Sequence, residues 1–382
     1  MHGLRSDRRR LIGGAAGLAA LALGGALPAS PSLSRGTALP MLEQIALFRA
    51  GEGGYHTYRI PSLLATKGGA VLAFCEGRKA GRGDAGDIDL LMRRSEDGGV
   101  TWGPVRVLWN DGANTCGNPC PVVDAATGAI SLLLTHNLGH DTEREILDGK
   151  SEGTRTVWLM RSADDGKTWT RPANITSGLK RDNWTWYATG PGVGIQMKGG
   201  RMIVPCDHFL AGSKEKRSHV VFSDDGGRTW RLGGDTGPDC NECQVVERPD
   251  GRLALNMRSY RASHRRLISI SSDRGLTWSA PTDDPALIDP VCQAGLIHLP
   301  DRAWLFTNPA SLKRENLTVR LSPDQGASWP TARTLHSGPA AYSSPAVLPN
   351  GNLACLYERG DQGPYETLTL ARFNREWLTE RP

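Results

Sequence analysis

No apolar run in this chain of 382 residues reaches the roughly 20 residues that a membrane-spanning helix needs. The uncharged stretch from Leu11 to Leu27 is shorter than that and diluted by Ala and Gly, so it does not read as an anchor. Charge of one sign is also missing. Lys and Arg number 45 against 40 Asp and Glu, and the basic residues are scattered, which argues against nucleic acid as a partner. A second C-x-x-C to match Cys240-Asn241-Glu242-Cys243 is absent, so a paired-motif zinc site has no basis. His136 and His140 have helical metal-ligand spacing, yet they follow the strand-like run Ile130 to Leu134 and do not read as ligands. No long amphipathic helical period appears.

Glycine and proline are plentiful. The 46 Gly and 24 Pro mark a chain that turns often, while 39% hydrophobic and 22% charged residues are typical of a soluble folded protein. Eight cysteines (Cys75, Cys116, Cys120, Cys206, Cys240, Cys243, Cys292, Cys355) in a chain this long are expected to be buried free thiols rather than a disulfide framework. The N-terminus differs from the rest. Ser6-Asp7-Arg8-Arg9-Arg10, the run Leu11 to Leu27 and the small residues Pro28-Ala29-Ser30 read as an export signal, and the consecutive arginines favour the twin-arginine route. Residues 1–36 are thus assigned to a signal and linker, and 37–382 to one folded domain without a membrane anchor, in the periplasm or the medium.

The architecture follows from a repeated eight-residue signature. It reads Ser95-Glu96-Asp97-Gly98-Gly99-Val100-Thr101-Trp102, and returns at Ser162–Trp169, Ser223–Trp230 and Ser271–Trp278, with a degenerate copy at Ser322–Trp329. The copies recur at intervals of roughly 50 to 65 residues, each after a β-rich run such as Ile88 to Met92 or His219 to Phe222. The residue types are those of a hairpin turn: Asp caps its own loop, Gly takes positive φ, and Trp packs back onto the sheet. One sheet-sized unit per signature means radial repetition, an all-β propeller. The signature residues are scaffold. They resemble the Asp boxes of the sialidase superfamily, which also occur in other propellers.

Further segments carry the resemblance to sialidases. Tyr58-Arg59-Ile60-Pro61-Ser62-Leu63 is similar to the arginine motif that opens their catalytic domains, followed by Phe74-Cys75-Glu76-Gly77-Arg78 and Asp84. Asn241-Glu242-Cys243-Gln244-Val245 and Asn256-Met257-Arg258-Ser259 resemble the base and second-arginine segment. Arg314 stands where the third arginine is expected, and Ala341-Tyr342-Ser343 and Cys355-Leu356-Tyr357-Glu358 complete the order. The resemblance, from Arg59 to Glu358, implies a six-bladed β-propeller and an exo-α-sialidase acting on terminal sialic acid of sialylated glycans. It implies no cofactor and no metal, and the protein is expected as a monomer.

Chemistry supports those roles. Sialic acid carries a carboxylate on its anomeric carbon, and guanidinium is the permanently charged, planar group that holds one bidentately; Arg59, Arg258 and Arg314 are the candidates. A carboxylate nucleophile would be repelled by that anion, whereas a neutral phenol deprotonated on attack avoids most of the cost, so Tyr342 is the candidate nucleophile and Glu242 its base. Asp84 is the candidate general acid, with Asp87 as its competitor and turn capping as the plain role for both and for Asp89. Glu358 is expected to orient Arg59, and Arg78 and Asn118 to line the sugar's other face. Trp184, Trp186 and Tyr187 either wall the leaving group's side or pack between blades. Asp207 and His208 stand where family members often carry tyrosines, a departure that bears on recognition of the glycerol or N-acyl group. A non-catalytic sugar-binding propeller and a sialic acid transferase remain as alternatives.

Overall fold

The computed structural model describes residues 39–380; the proposed export signal lies outside the described residues. Runs such as Val71–Arg78 and Ile130–Asn137 are nearly continuous in buried residues rather than alternating, because both faces of each strand are covered by neighbouring sheets. The strands form six radial four-stranded antiparallel units around one axis, a six-bladed β-propeller. Blade 1 runs outward through Thr57–Ala65, Val71–Arg78, Ile88–Ser95 and Arg106–Trp109. Blade 2 uses Thr115–Val123, Ile130–Asn137, Thr156–Ser162 and Ala173–Asn174. In blade 3 the inner position is shared by Trp184–Thr189 and Ile195–Gln196, before Met202–Leu210, Lys216–Ser223 and Arg231–Asp235. Blade 4 is Cys240–Glu247, Leu253–Ser259, Arg265–Ser271 and Thr282–Ile288.

The last two blades share a strand. Thr331–Val347 is the outer strand of blade 5, after Gly295–His298, Trp304–Pro309 and Glu315–Ser322, and its C-terminal half is the inner strand of blade 6. Blade 6 continues through Leu353–Arg359 and Thr367–Phe373, and takes its outer strand, Leu42–Arg49, from the start of the domain. Pairing of the first strand with the last closes the ring.

Each signature joins the third strand of its blade to the fourth. In the third copy the Asp225 carboxylate accepts from the amides of Arg228 and Thr229 at 3.0 and 2.9 Å and from the Thr229 hydroxyl at 2.6 Å, while the Ser223 hydroxyl donates to it at 2.8 Å. Gly227 has φ 80° and abuts the preceding blade, where a Cβ would meet Ser131 Oγ at 2.3 Å. The tryptophan then enters the seam with that preceding blade: Trp102 between blades 6 and 1, Trp169 between 1 and 2, Trp230, Trp278 and Trp329 in the next three.

The seam between blades 5 and 6 has no signature, because in blade 6 the junction of third and fourth strands is the gap between the chain's ends. A C-terminal helix, Arg375–Thr379, takes its place. Its Trp377 and Leu378 pack into that seam, with Trp377 5.1 Å from the Phe373 ring. Asn374 caps the helix by accepting from the Trp377 amide and also binds Met41 and Leu39, so one side chain ties the helix to the closing strand. Trp377→Ala should therefore destabilise the domain by about 3 kcal/mol, against about 1 kcal/mol for loss of the turn cap in Asp225→Ala. Calorimetric unfolding checks the order; a wild-type melting temperature for Trp377→Ala would show that the last seam does not depend on the helix.

Candidate active site

Side chains reach the axis because the inner strands are interrupted at the same end. Register shifts fall between Arg59 and Ser62 in blade 1, Gly117 and Cys120 in blade 2, and Trp184 and Tyr187 in blade 3. They recur between Cys240 and Cys243 in blade 4, and Ala340 and Ser343 in blade 6. A bulge of this kind breaks the alternation and re-aims a side chain. Asn118, Trp186, Glu242 and Tyr342 all stand inside these interruptions, and Arg59 borders one. Ile60, β-branched yet at φ 62°, shows that the geometry is imposed by its surroundings. Its amide donates to Glu358 Oε1 at 3.0 Å.

The nucleophile, base and arginine candidates converge in one cavity of about 150 Å³. The Tyr342 hydroxyl donates to Glu242 Oε1 at 2.5 Å, and Arg258 Nη1 donates both to Glu242 Oε2 at 2.8 Å and to the Tyr342 oxygen at 3.3 Å. The Arg59 and Arg314 guanidiniums lie 4.9 and 5.6 Å from the centre of the Tyr342 ring. Burial and the Glu242 carboxylate push the phenol well above its ordinary pKa, against the opposing pull of Arg258, Arg59 and Arg314. The resting hydroxyl is protonated. Glu358 is fully buried and grips Arg59 with both oxygens, at 3.1 and 3.4 Å, while also accepting from the Tyr342 amide at 3.1 Å. Among the described residues Arg314 pairs with no carboxylate; it donates to the Tyr365 hydroxyl at 2.7 Å and to the Val291 carbonyl at 3.0 Å.

Asp84 enters from its loop with 47% of the side chain exposed, 2.7 Å from Arg78 Nη2 and 3.5 Å from Arg59 Nη1. Desolvation by the loop would raise its carboxyl, but Arg78 and Arg59 outweigh it and hold the group below the usual carboxylate range. Asp87 does not line the cavity and pairs with Lys79 at 2.9 Å; Asp89 is buried against Tyr55 and Asn110. Arg78 lines the cavity but is itself buried, and its other partners are Glu76 and the carbonyls of Arg82 and Gly83. Its geometry positions the Asp84 loop. Asn118 lines the cavity beside it, with its backbone amide donating at 2.9 Å to Glu76 Oε1, on the carboxylate that also holds Arg78.

Of the three aromatics in doubt, Trp186 alone faces the cavity. Trp184 stacks on His208 at 3.5 Å and Tyr187 bonds His219, both within the core. Asp207 lines the cavity beside Asn241, whose side-chain amide donates to it at 2.7 Å. Sequence reading missed Glu143, Arg155, Phe209 and Tyr260 on the wall and Tyr365 beneath Arg59. A tyrosine in the turn-rich Gly360-Asp361-Gln362-Gly363-Pro364 stretch just after Glu358 was the one available signal.

All eight cysteines are buried free thiols. His136 bonds Asp111 and His140 bonds Glu152, and among the described residues no group of three or more His, Cys, Asp or Glu side chains is placed to hold a metal ion. A larger cavity, about 630 Å³, opens at the far ends of the inner strands among Leu63, Val193, Val246, Ile297, Pro345 and Val347, away from these residues.

Residues 69–355 match the family model described as a BNR repeat-like domain. The sialidase of Micromonospora viridifaciens is 34% identical over 98% of this chain, which spans 61% of that protein's length. Sialidase-3 of Mus musculus is 30% identical, covering 86% of this chain and 93% of its own. The solved structure of a Hadza microbial sialidase superposes with a TM-score of 0.79 at 29% identity, over 87% of this chain and 68% of that one. With the signature turns on all but one blade and this cavity at the axis, the chain belongs to the sialidase family of BNR-repeat propellers.

Proposed function

We propose that the protein is a retaining exo-α-sialidase that hydrolyses terminal α-ketosidic sialic acid from glycans through a tyrosyl-enzyme intermediate. The observation that carries this reading is the Tyr342 hydroxyl at 2.5 Å from Glu242 beside Arg258, Arg59 and Arg314. Those three guanidiniums hold the substrate carboxylate and so place the anomeric carbon over the phenol oxygen. The Tyr342 oxygen attacks that carbon as its proton passes to Glu242. The glycosidic C–O bond breaks, and the departing oxygen takes a proton from Asp84. Water then attacks the anomeric carbon, giving its proton to Asp84, and the tyrosyl C–O bond breaks as Glu242 returns the proton to the phenolate. Two displacements retain configuration.

The resting charges suit these steps. A neutral phenol meets the incoming carboxylate without repulsion. Asp84 is held below the usual carboxylate range by Arg78 and Arg59. A substrate carboxylate bound to Arg59 offsets part of that positive field and raises Asp84 toward the protonated form that a general acid needs.

Tyr342→Phe should lose normal turnover with the fold intact, and proton NMR of the wild-type reaction should show α-sialic acid as the first product. Full activity in the variant, or the β-anomer first, would overturn the mechanism. Asp84→Asn should lower kcat/KM for a sialyl-lactose by at least about 10²-fold and much less for the 4-methylumbelliferyl glycoside, whose leaving group needs little protonation. Equal losses on both substrates would remove Asp84 from the acid role.

A further inference from the structure

Two of the three arginines assigned to the substrate's carboxylate already hold one from the protein: Arg59 pairs with Glu358 and Arg258 with Glu242. The charge of each is offset before a ligand arrives. Arg314 makes no ion pair among the described residues, so of the three it is the one whose charge is left for an incoming anion. Its guanidinium is nonetheless fixed. Nη1 donates to the Tyr365 hydroxyl at 2.7 Å and Nη2 to the Val291 carbonyl at 3.0 Å, both neutral acceptors.

Tyr365 also serves a second arginine. The Arg59 guanidinium lies 4.4 Å from the centre of its ring, within the range of an attractive cation–π contact. The half-buried ring packs against the cluster of Ile60, Cys292, Ala341 and Tyr342. One side chain therefore touches both arginines that flank the nucleophile candidate, at 4.9 and 5.6 Å from the Tyr342 ring centre.

The turn that carries Tyr365 is built to hold it still. It joins Leu353–Arg359 to Thr367–Phe373 in blade 6. The Glu366 carboxylate accepts from the amides of Asp361, Gln362 and Gly363 at 3.1, 2.7 and 2.9 Å. The Glu366 carbonyl accepts from the Ala50 amide at 2.9 Å, which ties the turn to the end of the closing strand. Support of this kind holds the hydroxyl in place before any ligand binds.

Resting on the sialidase reading, we propose that Tyr365 is a positioning residue for the substrate's carboxylate: its hydroxyl aims Arg314 and its ring supports Arg59. A phenol offers an acceptor oxygen without a formal charge, so it orients Arg314 and leaves the positive charge for the substrate. A carboxylate at the same place would orient the guanidinium equally well and cancel that charge.

The test measures kcat and KM for the 4-methylumbelliferyl α-sialoside in wild type and Tyr365→Phe, which keeps the ring and loses the hydroxyl. Dissociation constants are measured beside them for 2,3-dehydro sialic acid and for its methyl ester, which carries no anion. Tyr365→Phe should raise KM and the acid's dissociation constant by about tenfold, lower kcat less, and leave the ester's dissociation constant unchanged. In an Arg314→Ala background the same substitution should cause no further loss of acid affinity, because the hydroxyl's partner is gone. Wild-type KM and acid affinity in Tyr365→Phe would overturn the proposal. So would an equal loss on acid and ester, the mark of general damage to the cavity, or a further tenfold loss in the Arg314→Ala background. A folded wild type that neither cleaves the sialoside nor binds the acid would defeat the sialidase reading itself, and the role of Tyr365 with it.

Discussion

The site depends on one buried carboxylate. Glu358, on the second strand of blade 6, gathers four donors: two from the Arg59 guanidinium and the backbone amides of Ile60 and Tyr342. Those amides lie in the bulges of two different inner strands, so a single side chain fixes an arginine candidate and the nucleophile candidate relative to each other. A fully buried charge is tolerated only when paired and hydrogen-bonded in this way. Glu76, on the second strand of blade 1, does the same for the next seam, holding Arg78 and the Asn118 amide. The repetition follows from the propeller: equivalent strands in successive blades bring equivalent side chains to successive inner bulges.

Charge balance then differentiates groups of the same type. Arg59, Arg78 and Arg258 each have a carboxylate, so their cost of burial is met before any ligand arrives. Among the described residues, Arg314 and Arg155 are held by neutral partners. The same contrast separates the acids: two guanidiniums hold the Asp84 carboxyl below the usual carboxylate range, while burial and the nearby Glu242 push Asp207 well above it. Position decides protonation, and protonation decides what each carboxyl can do.

Ring closure explains a mismatch between five signatures and six blades. The signature is a turn between third and fourth strands, and blade 6 has no such turn because its fourth strand comes from the other end of the domain. Packing of the last seam passes to Trp377 on a short capped helix. In sequence this tryptophan sits in Asn374-Arg375-Glu376-Trp377, with nothing to mark it as the counterpart of Trp102 or Trp169.

Sequence alone determined the repeating unit, since a turn signature is local: Ser, Asp, Gly, Thr and Trp within eight residues make their own hydrogen bonds. It also marked Arg59, Asp84, Asn118, Glu242, Arg258, Arg314, Tyr342 and Glu358, whose order resembles that of the sialidases, and the structure brings all of them to one cavity or its immediate support. Arg155, Glu143, Phe209 and Tyr260 were invisible because no local pattern distinguishes a wall residue from a surface one. Trp184, Trp186 and Tyr187 could not be separated until the bulge in blade 3 showed which of them turns toward the axis. Which arginine finds a carboxylate, and which is held by neutral groups, depends on contacts between residues up to some 300 positions apart. Only closure of the ring brings those residues together, so only the tertiary structure decided it.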